Sequence, residues 1–406
     1  MKIATSFLPL VTLLSSSWAH AEAPRPGDAD FPAPSPSARH SAKVAAVKSG
    51  DYDLVLIGDS IIHTVGELTK ELADGRQVFW LDVNHVFLRP DGTINTDLMW
   101  DLLHPSPAGA EAWAQAVEPT LAKLIGDKPL APQPRKLALW PDHKAPIGDG
   151  RLEDANAFIT VYRPAEPDPN GAAAVICPGG GYGGLVMGAE GSGIAKWLNG
   201  HGITGIVLRY RLPRGRRFVP LLDAQHAIRT ARFNAKQWGC DPRRIGIIGF
   251  SAGGHLASTA ATHFDGGKAG AGDPIERIGC RPDFAVLVYP VITMGDKTHG
   301  GSKRNLLGAA PSPETIDLFS NEKQVTAQSS PTFLAHALDD RAVPCDNSRM
   351  FHEALKANEV DTQYLELPSG GHGLNGYKGP MWEAWQRDSL KWLGSLKMIQ
   401  AQKDAK

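Results

Sequence analysis

Net charge is the first thing this 406-residue sequence lacks. Lys and Arg number 42, Asp and Glu 43, and the formal charge is −1. A balance this close offers no attraction to nucleic acid or to an anionic membrane, and neither is expected as a partner. Cysteine is scarce as well. Cys177, Cys240, Cys280 and Cys345 form no CxxC pair and no Cys/His metal spacing, so no metal is expected. Two readings stay open for them: a disulfide such as Cys240–Cys280 in an oxidising compartment, or small buried thiols. After the first residues no long uncharged apolar run occurs, which excludes a membrane-spanning helix of about 20 residues. The glycine-rich stretch at 177–184 has no Lys-Ser/Thr pair and no acidic partner at dinucleotide spacing. It is therefore no phosphate loop, and no cofactor is expected.

Glycine (43) and proline (31) are plentiful and suit a fold with many shaped loops. A single core stops growing at about 250–300 residues, so the length implies one large domain and something smaller. Residues 1–23 have the pattern of a secretory signal: Lys2, the apolar run Phe7 to Leu14, then Ala-x-Ala at 19–21 and 21–23. Secretion or export to a periplasm follows as the expectation. Residues 24–50 form a Pro/Ala/Ser-rich leader. The segment 51–126 offers strands near 52–57 and 78–83 and a helix over 106–125, with Pro107 in its first turn. Prolines crowd 127–150, read as a linker and the start of the next domain.

From 151 to 396 strands alternate with helices, ahead of a polar tail at 397–406. Strands are expected at 157–163, 172–177, 204–210, 245–249, 284–289, 332–337 and 362–367. Helices are expected at 190–200, 220–238, 252–263, 346–358 and 380–395. This alternation predicts an α/β fold: a mostly parallel sheet with helices on both faces.

The chemistry lies in that alternation. The apolar strand Ile245–Ile248 runs into Gly249-Phe250-Ser251-Ala252-Gly253 and then into a helix, which is G-x-S-x-G in its strand–turn–helix context. The turn presents Ser251 as a nucleophile and aims the Ala252 N–H at a developing oxyanion. Cys177-Pro178-Gly179-Gly180-Gly181-Tyr182 follows an earlier strand, and Gly180 and Gly181 are the candidate second and third oxyanion donors. A serine needs a base, and the base needs an orienting acid. His372 sits in the glycine-rich run 369–373, and Asp340 follows the strand 332–337 with Asp339 beside it as the competing acid. The order Ser251, Asp340, His372 is that of an α/β-hydrolase.

Residues from about 136 to 396 resemble the bacterial acetyl xylan esterase-like α/β hydrolases. The resemblance is carried by 176–182, Glu190-Gly191, Arg209-Tyr210-Arg211-Leu212-Pro213, the whole run 241–255, Tyr289-Pro290-Val291, Val343-Pro344 and His372-Gly373. It implies deacetylation of plant cell-wall polysaccharides or oligosaccharides, with an acetylated carbohydrate or small ester as substrate. The alternatives are a general carboxylesterase or lipase-like hydrolase, and a non-catalytic carbohydrate-binding protein. Trp140, Trp197, Trp382, Trp385 and Trp392 are candidates for sugar stacking or, alternatively, for core packing. Oligomeric state is not legible.

A second serine also stands out. Gly58-Asp59-Ser60-Ile61 and Asp101-Leu102-Leu103-His104 resemble the first and last blocks of the SGNH (GDSL-type) esterases. The resemblance implies a triad of Ser60, Asp101 and His104. The glycine and asparagine blocks that carry that family's oxyanion donors are missing between them, so 51–126 is expected to be a truncated, inactive segment. Each missing donor costs roughly 3–4 kcal/mol of transition-state stabilisation.

Overall fold

The structure is a computed structural model that describes residues 54–58, 78–89, 91–99, 105–125, 131–140, 145 and 157–401. The chain divides into two compact units, Met1–Asn84 and His85–Lys406. In the first, β1 (Leu54–Gly58) and β2 (Val78–Asp82) pair in parallel. The leader residues 1–50, together with Ser60, Asp101 and His104, lie outside the described residues.

The second unit is built on an eight-stranded sheet. Its strands are β3 (Arg135–Ala138), β4 (Phe158–Tyr162), β5 (Ala173–Cys177), β6 (Thr204–Arg209), β7 (Ile245–Phe250), β8 (Ala285–Val288), β9 (Thr332–Ala337) and β10 (Thr362–Leu367). Their spatial order is β10-β9-β8-β7-β5-β6-β4-β3. All neighbours are parallel except β4 against β6 and β3 against β4. Every residue of β5, β7, β8 and β9 is buried, as central strands covered on both faces must be.

The longer helices among the described residues are α1 (Pro107–Ile125), α2 (Gly193–Asn199), α3 (Val219–Phe233), α4 (Ser251–Thr262), α5 (Gly300–Leu307), α6 (Pro313–Leu318), α7 (Asp346–Ala357) and α8 (Gly379–Ser395). Apolar side chains fill two separate layers, one on each face of the sheet. One joins Val175, Ile206 and Ile247 to Ala224, Ile228 and Leu256, and the other joins Ile176, Val207 and Ile248 to Ile194, Trp385 and Leu393. The alternation along each strand is the physical cause: successive side chains point to opposite faces.

Strands and most helices fall where the hydrophobic pattern places them, to within a residue or two; the helix expected over 220–238 breaks at Asn234, so that α3 ends at Phe233 and a separate turn covers Ala235–Trp238. The 190–200 segment differs at its start, where a π-turn over Gly188–Ser192 precedes α2. Other elements escape the pattern. β3 reads RKLA and is largely exposed on the sheet's edge, so it has no apolar signature. α5 and α6 are short, and α6 buries no residue. All four cysteines are free, with Cys177 and Cys280 buried. The five candidate tryptophans pack in or against the core: Trp382, Trp385 and Trp392 are buried, Trp197 packs edge-on against Trp385, and Trp140 stacks on His226 while donating to Asp223.

Close packing beneath the serine turn explains its glycines. A Cβ on Gly253 would lie 2.1 Å from the Cys177 carbonyl oxygen, and one on Gly249 would lie 2.3 Å from the Gly253 oxygen. Alanine normally stabilises a helix interior by about 1 kcal/mol over glycine. At Gly253 the backbone clash outweighs that gain. Gly253→Ala is expected to lower the urea unfolding free energy by about 2 kcal/mol or more.

Candidate active site

Ser251 sits at the junction of β7 and α4 with φ +52, a left-handed backbone that a non-glycine residue adopts only when its surroundings impose it. Phe250 is extended, and the helix begins at the serine itself. The Ala252 N–H therefore lies in the first helical turn, where no intrahelical acceptor exists. Ser251 Oγ lies 2.8 Å from His372 Nε2, and His372 Nδ1 lies 2.7 Å from Asp340 Oδ2. The three residues come from the ends of β7, β9 and β10, at one end of the parallel sheet.

The acid is built in detail. Asp340 Oδ1 accepts the Ala342 and Val343 N–H groups at 2.9 and 3.0 Å, and Oδ2 serves His372. His336, wholly buried, stands 3.3 Å from the same Oδ2. Burial works to raise the Asp340 carboxyl. Hydrogen bonds from His336, His372 and Val343 overcome it and hold the group well below the usual carboxylate range. Asp339, the competing acid, faces another way. It accepts the Gly371 and Gly370 N–H groups at 2.8 and 3.3 Å and so shapes the loop that carries His372. The adjacent aspartates divide the work, one on the imidazole and one on its backbone.

The glycine loop lies against the serine. Gly180 (φ +133) and Gly181 (φ +62) adopt backbone that a side chain would strain, and the Gly180 carbonyl takes the N–H groups of Gly183 and Gly184. Several supports of this loop have no signature in the sequence. Asn305 of α5 donates to the Gly181 carbonyl at 2.9 Å. The Tyr182 hydroxyl donates to His255 Nδ1 at 2.9 Å, and His255 Nε2 donates to the Phe319 carbonyl at 2.8 Å. His255 thus ties the loop to the serine's own helix. His299, half-buried, comes close to Gly181. Among the described residues no group of three or more His, Cys, Asp or Glu is arranged to hold a metal ion. No described helix is long and apolar enough to cross a membrane.

A mostly parallel sheet between helices, with a serine lifted on a sharp strand–helix turn, defines the α/β-hydrolase class. Comparison with known proteins agrees. Residues 159–355 match the BD-FAE family model. An acetylxylan esterase of Xylanibacter ruminicola is 35% identical over 258 residues, covering 62% of this chain and 50% of that protein. Endo-1,4-beta-xylanase B of Butyrivibrio fibrisolvens is 36% identical over 217 residues, covering 52% of this chain and 34% of that one. This chain thus spans half the length of the first relative and about a third of the second. The crystal structure of an acetyl ester-xyloside bifunctional hydrolase from Caldicellulosiruptor lactoaceticus matches with a TM-score of 0.61 at 38% identity, over 65% of this chain and 97% of that one. The chain belongs to the α/β-hydrolase family.

Burial pushes the His255 imidazole down to about 4, against a smaller opposing effect of its bond to the Phe319 carbonyl. The folded protein therefore holds His255 neutral at pH values where the unfolded chain protonates it. Its contribution to stability is complete above pH 6.5 and is lost as pH falls towards 4, on the order of 3 kcal/mol in all. His255→Gln keeps an acceptor for Tyr182 and a donor for Phe319 but does not titrate. Urea unfolding at pH 7 and pH 4.5 is expected to show a smaller acid loss in that variant than in the parent.

Proposed function

We propose that this chain is an exported serine esterase that removes acetyl or other short acyl groups from plant polysaccharides or oligosaccharides such as xylan. The observation that carries the proposal is the continuous hydrogen-bonded line from Ser251 Oγ through His372 to Asp340, set beside a glycine loop. His372 Nε2 takes the hydroxyl proton as Ser251 Oγ attacks the ester carbonyl carbon. Asp340 fixes the tautomer and stabilises the imidazolium. The amides of Gly180, Gly181 and Ala252 receive the oxyanion. His372 returns its proton to the departing sugar oxygen, leaving an acyl-serine. Water, activated by the same histidine, adds to that acyl carbon and releases the acid and free Ser251.

Substrate class is supported by the acetylxylan esterase and xylanase relatives. Export is supported by the signal-like composition of residues 1–23. Ser60, Asp101 and His104 are assigned no part in turnover, since the glycine and asparagine blocks that carry the SGNH family's oxyanion donors are missing between them.

The test is acetate release from acetylated xylan, run beside hydrolysis of short and long p-nitrophenyl esters. Ser251→Ala is expected to abolish all of it, and Asp340→Asn to lower kcat by about 10⁴-fold, the scale seen when a triad acid is neutralised. Persisting turnover in Ser251→Ala refutes the nucleophile. Preference for long acyl chains would move the assignment to a lipase-like enzyme. Ser60→Ala is expected to leave acetyl-ester hydrolysis unchanged, and a loss there would make the N-terminal segment a second active site.

A further inference from the structure

One acidic side chain beneath the glycine loop has no part in the triad chemistry. Glu190, in the π-turn over Gly188–Ser192, is 2% exposed. Burying a carboxylate is costly unless donors surround it. Two donors hold it. The Gly179 N–H reaches Oε2 at 2.6 Å and the Tyr289 hydroxyl reaches Oε1 at 3.0 Å, with Tyr377 near enough to interact with the group electrostatically. Burial pushes its carboxyl above the usual carboxylate range, and the Gly179 N–H, the two tyrosine hydroxyls and the nearby His372 act the other way without cancelling it. With an N–H on one oxygen and a hydroxyl on the other, both carboxyl oxygens serve as acceptors.

What these donors belong to gives Glu190 its reach. Gly179 opens the glycine loop, and a Cβ there would meet Glu190 Oε2 at 2.7 Å and Ser251 Cβ at 2.9 Å. No side chain fits between the carboxylate and the nucleophile. Because Glu190 occupies the Gly179 N–H, the amides left for a ligand begin with Gly180. Tyr289 carries a strained φ of +39, and its ring packs on His372 with centroids 4.9 Å apart. The carboxylate therefore grips the oxyanion loop with one oxygen and, through Tyr289, backs the face of the histidine with the other.

We propose that Glu190 is a positioning residue for ester cleavage, fixing the register of the oxyanion loop and the seat of His372 from below. This rests on the Ser251–His372–Asp340 reading above. In the transition state the misplacement of an oxyanion donor costs far more than in the ground state, so the effect falls on kcat and not on KM.

Glu190→Ala and Glu190→Gln are compared on p-nitrophenyl acetate, with competent sites counted by stoichiometric phosphonylation and folding followed by thermal melts. Per competent site, Glu190→Ala is expected to lose about 100-fold in kcat, the scale of one oxyanion donor, with KM moved less than about threefold. Glu190→Gln still accepts the Gly179 N–H and should stay within about tenfold of the parent. Wild-type kcat per site in Glu190→Ala overturns the proposal, as does a loss confined to KM. If the alanine variant fails to fold, Tyr289→Phe, which removes the hydroxyl bonded to Glu190, decides: a lowered kcat with KM intact supports the role, and parental kcat overturns it. Ser251→Ala measured alongside separates the two readings. Its full activity refutes the triad and this proposal with it, whereas its inactivity beside an unimpaired Glu190→Ala refutes the positioning role alone.

Discussion

The approach of helix α4 to the end of strand β5 governs the rest of the structure. At Gly253 the helix backbone passes so near the Cys177 and Pro178 carbonyls that no side-chain carbon fits. Only at that distance does the serine turn stand beside the glycine loop. The cost appears as left-handed backbone at Ser251, Tyr182 and Tyr289. Strain of this kind, on the order of 1–3 kcal/mol per residue, persists where surrounding packing over-determines it. Here it is over-determined by two apolar layers and by strands buried along their full length.

Around that point the polar groups are sorted by charge. Asp340 is held ionised by converging donors, whereas His255, buried against a carbonyl and a tyrosine hydroxyl, is held neutral. Both outcomes follow from the same rule: in a low-dielectric interior the partners present decide which protonation state survives. Glu190 is a third case, a carboxyl that burial pushes above the usual range against the pull of the Gly179 amide and the Tyr289 hydroxyl.

Much of this was legible in the sequence because strong local patterns coincide with the fold. The central strands are continuous apolar runs, and G-x-S-x-G between a strand and a helix has few other uses. Ser251, Asp340 and His372 were legible from order and spacing, and the structure brings those three side chains within hydrogen-bonding distance in series. The choice between Asp339 and Asp340 was open because neighbours on a turn look alike in sequence and differ only in where they point. The supports from Asn305, Tyr182 and Tyr289 stayed invisible for another reason. Each joins residues far apart in the chain, so no local pattern announces it. Edge strand β3 escaped because two of its four residues are basic and three are exposed. The stacked tryptophans show how composition misleads, since an indole suited to a sugar is equally suited to a core.

The strand order carries a kinetic consequence. The loop after β5 and the serine after β7 are neighbours in the sheet, yet Ser251 and His372 are 121 positions apart in the chain. Their meeting requires β8, β9 and β10 to have docked in register. Loop-closure entropy makes such non-local pairings late events. During refolding, helices and a loose sheet form before the hydroxyl and imidazole meet, so regained turnover reports the final docking of the sheet and not the first collapse.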